Sequence, residues 1–153
     1  MIERERRFLV ASVPSELPPP HRIVQGYLVT RPVTVRVRRQ DDSYTLTVKT
    51  GTGLARVEIE RELEADEFDA LWATADALRI DKRRHVIALP SGHDAELDLF
   101  DGALAGRMIV EVEFDDDEAA AGFVAPEWFG REVTYDGRYS NAALASEGWP
   151  DDD

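Results

Sequence analysis

Charged side chains recur two residues apart along this sequence: Glu3 and Glu5 with Arg7 next, Arg36 and Arg38, Glu58 and Glu60, Lys82 and Arg84, Glu96 and Asp98, Glu111 and Glu113. In an extended strand, positions i and i+2 project from one face, so each pair stands side by side. Lys49 follows Thr45 and Thr47 with the same spacing. Eight carboxylates therefore share this pattern with Arg7, Arg36, Arg38, Lys49, Lys82 and Arg84, a near balance of sign. Brought together, such groups could pair with one another or engage water, a metal ion or an ionic ligand. An isolated ion shut away from water would be too costly.

Several other chemistries are excluded or find no support. The chain has no cysteine, so disulfides, thiolate metal sites and cysteine nucleophiles are ruled out. His21, His85 and His93 are scattered without metal-ligand spacing and read as structural. No serine, histidine and aspartate arrangement points to a nucleophilic hydrolase. Gly51-Thr52-Gly53 reads as a hairpin turn, because no helix follows it as a nucleotide loop requires. Trp72, Trp128 and Trp149 read as packing residues. A net charge of −13 argues against a general nucleic-acid surface, though not against a local basic pocket. Sixteen of the eighteen basic residues are arginine, and the two lysines, Lys49 and Lys82, both fall in the charged pattern.

The elements that must position these groups are mostly strands. Period-2 alternation predicts them at 2–8, 23–30, 33–40, 43–50, 54–62, 80–89, 94–100 and 107–114. Turns are expected at Arg31-Pro32, Asp41-Asp42, Gly51 to Gly53, Pro90 to Gly92 and Gly102 to Gly106. A helix is expected over 66–78, where Phe68, Leu71, Trp72, Ala75 and Leu78 fall at helical spacing behind acidic residues. A second should start near Asp116 and run to Phe123, its Asp115 to Glu118 run being a solvated start. A third should cover Asn141 to Glu147, and Asp151 to Asp153 are expected to fray. The 153 residues fit one domain, with 43% hydrophobic and 32% charged residues. The charged opening MIERERRFLV is unlike a signal, and no apolar run is long enough for a span, so a cytoplasmic location is expected.

Two arrangements satisfy the alternation. An antiparallel sheet could pack its apolar face on helices and leave the charged face in water. Alternatively the sheet could curl, as about eight strands can. Charged faces would then point inward and apolar faces outward, under helices. Periodicity alone leaves both open.

A resemblance favours the second. Glu3-Arg4-Glu5-Arg6-Arg7-Phe8-Leu9-Val10 resembles the ExExK signature of the CYTH, or triphosphate tunnel metalloenzyme, family. Gln25-Gly26-Tyr27-Leu28, Val35 to Arg38, Thr47 to Lys49, Val57 to Glu60, Lys82 to Arg84, Glu96 to Phe100, Leu104 to Gly106, Glu111 to Phe114, Arg131 to Thr134, Arg138 to Asn141 and Leu144-Ala145 follow in family order. The resemblance, closest to short bacterial members, spans residue 2 to about 145.

It implies an α+β, mainly β fold: a closed eight-stranded antiparallel β-barrel with a charged interior and helices outside. It further implies that Glu3, Glu5, Glu111 and Glu113, with Asp98, hold one or two divalent cations. Hard carboxylate oxygens suit magnesium or manganese. Arg36, Arg38, Lys49, Lys82 and Arg84 would grip a triphosphate through charge-assisted hydrogen bonds, and Tyr27 would offer a hydroxyl at the tunnel mouth. Glu58 and Glu60, with Arg7 the implied catalytic residues, would face the same tunnel and orient basic side chains or a metal-bound water, while Glu96 would share the face of Asp98. Arg7 stands where the family has lysine; it keeps the charge but gives up a proton far less readily.

The function so implied is metal-dependent hydrolysis of inorganic tripolyphosphate. Hydrolysis of an organic triphosphate (thiamine triphosphate or a nucleotide) and adenylate cyclase activity are alternatives. A non-catalytic triphosphate- or polyphosphate-binding module is an alternative of another class.

Overall fold

The computed structural model describes residues 1–151. The frayed tail expected over Asp151 to Asp153 lies outside them beyond Asp151. Alternating sequences form the strands β1 (Ile2–Val10), β2 (His21–Val29), β3 (Thr34–Gln40), β4 (Ser43–Lys49), β5 (Ala55–Glu62), β6 (Arg79–Ala88), β7 (Asp94–Phe100) and β8 (Met108–Phe114). They pair antiparallel in the order β5-β4-β3-β2-β6-β7-β8-β1, and β1 also pairs with β5, which closes the barrel. The closing seam is short, with Ile2 opposite Val57, Glu3 opposite Arg56 and Arg4 opposite Ala55.

Register decides which charges become neighbours. Arg7 lies opposite Glu111 and Glu5 opposite Glu113. Lys49 lies opposite Glu58, and Arg84 opposite Asp98. A two-residue repeat keeps every one of these on the inner face.

The outer apolar face is coated in patches. Helix α1 (Ala65–Thr74) buries Phe68 and lies over β2, β3 and β4, with Phe68 stacked on Trp72 and 5.1 Å from Tyr44. Gly26 lets it approach: a Cβ there would stand 2.7 Å from the Ala75 Cβ. The helix stops short of the expected 78 because the Leu78 carbonyl accepts from the Tyr27 N–H, tying the chain into the sheet. Helix α2 (Asp117–Gly122) is capped by Asp116, which accepts from the Ala119 N–H. Beside it Phe8, Leu97, Val110, Val112, Phe114, Phe123 and Phe129 form one core.

A ninth strand, β9 (Phe129–Glu132), was not expected. At four residues it is too short for alternation to register, and it forms by pairing with the outer half of β1. The expected helical coat is incomplete around the closing seam, where Ile2, Val57 and Ile59 remain exposed.

One end of the barrel is roofed by residues 133–147. Short 3-10 turns sit at Gly102–Leu104 and Gly137–Tyr139, and α3 (Asn141–Glu147) starts at the Ser140 cap. Val133, Tyr139, Ala142 and Leu144 pack there on Tyr27, Ile80, Phe100 and Ile109. The inner strand positions thus turn from charged to apolar at this end. Among the described residues no helix is long and apolar enough to cross a membrane.

Candidate active site

The barrel encloses a cavity of about 960 Å³, roofed on one side by residues 134–147. Twelve of the residues given a place in the site by the sequence line it: Glu3, Glu5, Arg7, Tyr27, Arg36, Arg38, Lys49, Lys82, Arg84, Glu96, Glu111 and Glu113.

Strands β1 and β8 build an acidic wall. Carboxylate oxygens of Glu3, Glu5 and Glu113 all lie within 4.8 Å of one another. Like charges so placed repel one another, and a cation between them relieves the repulsion. Loss of water on burial and the nearby Glu111 hold the Glu5 carboxyl well above the usual range. Partial loss of water, then Glu96 and Glu3, push Glu113 up to about 7 against the pull of Lys49, although the residue as a whole stays exposed. A cluster of hard oxygen donors lacking its full complement of positive charge fits a divalent cation such as magnesium or manganese.

The basic side chains divide by what holds them. Arg7 donates to Glu111 at 2.9 and 3.1 Å and to Glu5 at 3.2 Å. Burial opposes its charge, but Glu111 and Glu5 outweigh this and raise it above the ordinary arginine value. Burial likewise pushes Glu111 up, yet Arg7 and the Glu5 hydrogen bond carry it well below. Lys49 Nζ sits 2.9 Å from Glu3 and 3.4 Å from Glu58. Arg84 forks onto Asp98 at 2.8 and 3.0 Å and reaches Glu96 at 3.0 Å.

Strand β3 is different. Among the described residues Arg38 donates only to the Gln25 amide, at 2.9 Å, and burial with Arg36 and Arg84 takes it down to about 9. The Arg36 Nε is buried without a hydrogen-bond partner, and so is that of Arg56. Among the described residues neither these two nor Arg38 has a carboxylate partner. Unmatched guanidinium groups aimed into a cavity are what an anion would complete.

Three residues that the resemblance placed in the tunnel, Asp98, Glu58 and Glu60, do not line the cavity. Asp98, expected as a metal ligand, is wholly buried and does not line the cavity. Its oxygens are taken by Lys82 at 2.7 Å and by the Arg84 fork. Burial raises the Asp98 carboxyl, but Arg84 and Lys82 together hold it below its ordinary value. It is an anchor for cations. Glu58 lies behind Lys49, and Glu60 is exposed and accepts from the Thr47 hydroxyl at 3.2 Å. Neither lines the cavity.

A chain of the same kind is known. The inorganic triphosphatase of Nitrosomonas europaea is 43% identical over 147 residues, covering 95% of this chain and 97% of that one. The chain belongs to the inorganic triphosphatase family. The family member from Acetivibrio thermocellus is 39% identical over 123 residues, covering 78% of this chain and 77% of that one. The crystal structure of the inorganic triphosphatase NE1496 superposes with a TM-score of 0.71 at 40% identity, covering 97% of each chain. No protein-family model matches the chain.

In this family member, sequence reasoning overlooked several cavity residues. Arg56 continues the inward parity of Glu58 two residues earlier, a signal available in the alternation. Thr34 precedes Arg36 in the same way and accepts from Arg56 at 3.5 Å. Thr134 and Asn141 come from the roof, and no periodicity reports where that segment lies. Thr134 accepts from the Arg7 N–H at 3.0 Å. Asn141 accepts from Lys82 at 2.9 Å.

Proposed function

We propose that this protein hydrolyses inorganic tripolyphosphate to pyrophosphate and phosphate inside the barrel, as a member of the wider CYTH grouping. The observation that carries the reading is the division of the cavity. Carboxylate-free guanidinium groups of Arg36, Arg38 and Arg56 stand on strands facing the cavity, and the Glu3, Glu5 and Glu113 cluster lines the same space. A chain of anionic phosphates carrying a divalent cation has this pattern of charge.

Glu3, Glu5 and Glu113 would hold the cation, magnesium or manganese, with Glu111 beside them. A divalent cation there supplies charge neutralisation at the phosphoryl oxygens as the anhydride bond breaks. The remaining work falls to side chains. Arg36, Arg38 and Arg56 would bind phosphate oxygens, using guanidinium groups that no carboxylate engages among the described residues. Lys82 and Arg84, set by Asp98, would place positive charge along the same path. Lys49 is held by Glu3 and Glu58, so Glu58 orients a basic side chain. Transfer to water needs in-line positioning more than covalent chemistry, and the closed wall keeps the chain extended. The proton of the attacking water would pass to a carboxylate of the acidic wall. Arg7 would serve as a fixed charge that aligns Glu5 and Glu111 rather than as a proton carrier.

The test is phosphate release from tripolyphosphate with magnesium, with manganese and with chelator, beside ATP and thiamine triphosphate. Metal-dependent release from tripolyphosphate in preference to the organic triphosphates is expected. Equal or faster release from ATP would overturn the substrate assignment.

A further inference from the structure

Two buried amides connect cavity-lining cations that, among the described residues, share no carboxylate partner. Gln25 on β2 is fully buried, and Asn141, first residue of α3, is nearly so. Arg38 Nε donates to Gln25 Oε1 at 2.9 Å. Gln25 Nε2 donates to the Tyr27 hydroxyl at 3.1 Å and to Asn141 Oδ1 at 3.3 Å. The same Oδ1 accepts from Lys82 Nζ at 2.9 Å. One chain of hydrogen bonds therefore runs Arg38, Gln25, Asn141, Lys82 across β3, β2, α3 and β6.

The chemistry of the acceptors matters. Buried cations need oriented acceptors, and a carboxylate supplies the strongest. It also cancels the charge. Asp98 already lies 2.7 Å from Lys82 and is shared with Arg84. A second carboxylate at either amide position would leave the ammonium or the Arg38 guanidinium with little attraction for a phosphate oxygen. A neutral carbonyl oxygen fixes direction and leaves the charge available.

We propose that Gln25 and Asn141 are positioning residues, a neutral amide pair that aims Arg38 and Lys82 into the cavity without neutralising them. Asn141 also ties this aim to the roof, since α3 starts at that residue. The inference rests on the tripolyphosphate reading, and it adds the residues that aim two anion-binding side chains without adding a carboxylate to the wall.

The test uses Gln25→Glu and Asn141→Asp, which replace an amide by a carboxylate of the same shape. Affinity for tripolyphosphate without metal should weaken about tenfold or more in each, the scale of a lost charge-assisted contact. Melting temperature should hold or rise in Asn141→Asp, whose new carboxylate keeps Lys82 as a cationic partner, and should fall in Gln25→Glu, which loses both donations of the amide nitrogen. With metal present, KM should rise more than kcat falls. Because lysine occurs only at positions 49 and 82, lysine labelled with 15N gives two side-chain signals. Asn141→Asp and Asn141→Ala should move the Lys82 signal and leave that of Lys49 in place.

Unchanged affinity in both acidic variants would overturn the proposal. So would losses that merely track loss of melting temperature, or a Lys82 signal indifferent to position 141. Failure of the wild-type protein to bind tripolyphosphate would instead overturn the substrate reading, a separate result.

Discussion

At Lys82 a fully enclosed ammonium lies between Asp98 and Asn141. Burial takes it from its ordinary 10.5 down to about 7, with Arg84 and Arg38 adding to the shift and Asp98 and Glu111 opposing it. The unfolded lysine keeps its proton to near 10.5 and the folded one releases it near 7. Between those values the unfolded chain binds more protons, so the Lys82 contribution makes stability rise with pH, and below 7 its cost is fully present. A bound phosphate chain favours the charged form. Tripolyphosphate binding at pH 8 should therefore take up a proton, measured calorimetrically in buffers of different ionisation enthalpy. Lys82→Gln should remove that uptake, and its absence in the wild type would contradict this account of the site.

Glu113 makes the complementary case. Held up to about 7 beside Glu3 and Glu96, it opposes folding in the metal-free protein. Glu113→Gln should raise the metal-free melting temperature. It should also lower tripolyphosphate turnover by about 10²-fold or more, the order seen when one preorganised electrostatic group is lost. Phosphate release and thermal melts measure both, and unaltered turnover would remove Glu113 from the metal set.

Among the elements, α1 shows how a single backbone position sets packing. A side chain at Gly26 would meet Ala75 at 2.7 Å and the Trp72 ring at 3.3 Å. Gly26→Val should destabilise by about 1–3 kcal/mol, as overpacking does, read from the urea midpoint. A midpoint equal to that of the wild type would mean the helix can shift freely on the sheet. The strands were legible because alternation survives in β1 to β8, and α3 fell where its sequence placed it. Strand β9 was not legible, because four residues carry no period and its partner, β1, lies more than a hundred residues away. The end of α1 was missed for a similar reason: Leu78 has helical spacing, but a sheet hydrogen bond claims its carbonyl.

For the whole molecule, the chain carries a net charge of −13 and a cavity lined by both signs. Ligands that balance the interior should stabilise the fold by mass action, by about 2.7 kcal/mol at a hundredfold excess over Kd. Magnesium or manganese should raise the melting temperature, tripolyphosphate with metal should raise it further, and chelator should reverse the metal increment. A melting temperature indifferent to both would mean the cavity does not take them up.

Alternation by itself determined that the chain is made of strands with one charged and one apolar face, because side-chain direction along a strand has a period of two and needs no partner. It also marked most of the charged cavity residues, since each charged pair declares its own face. Only tertiary structure decided that this face points inward, because closure depends on β1 reaching β5 across fifty residues. It alone separated Asp98, spent on Lys82 and Arg84, from Glu3, Glu5 and Glu113, which share one space. Gln25 and Asn141 belong with the tertiary findings as well. The bonds joining them to Arg38 and Lys82 form where β2, β3, β6 and α3 converge, and no spacing within one segment records that meeting.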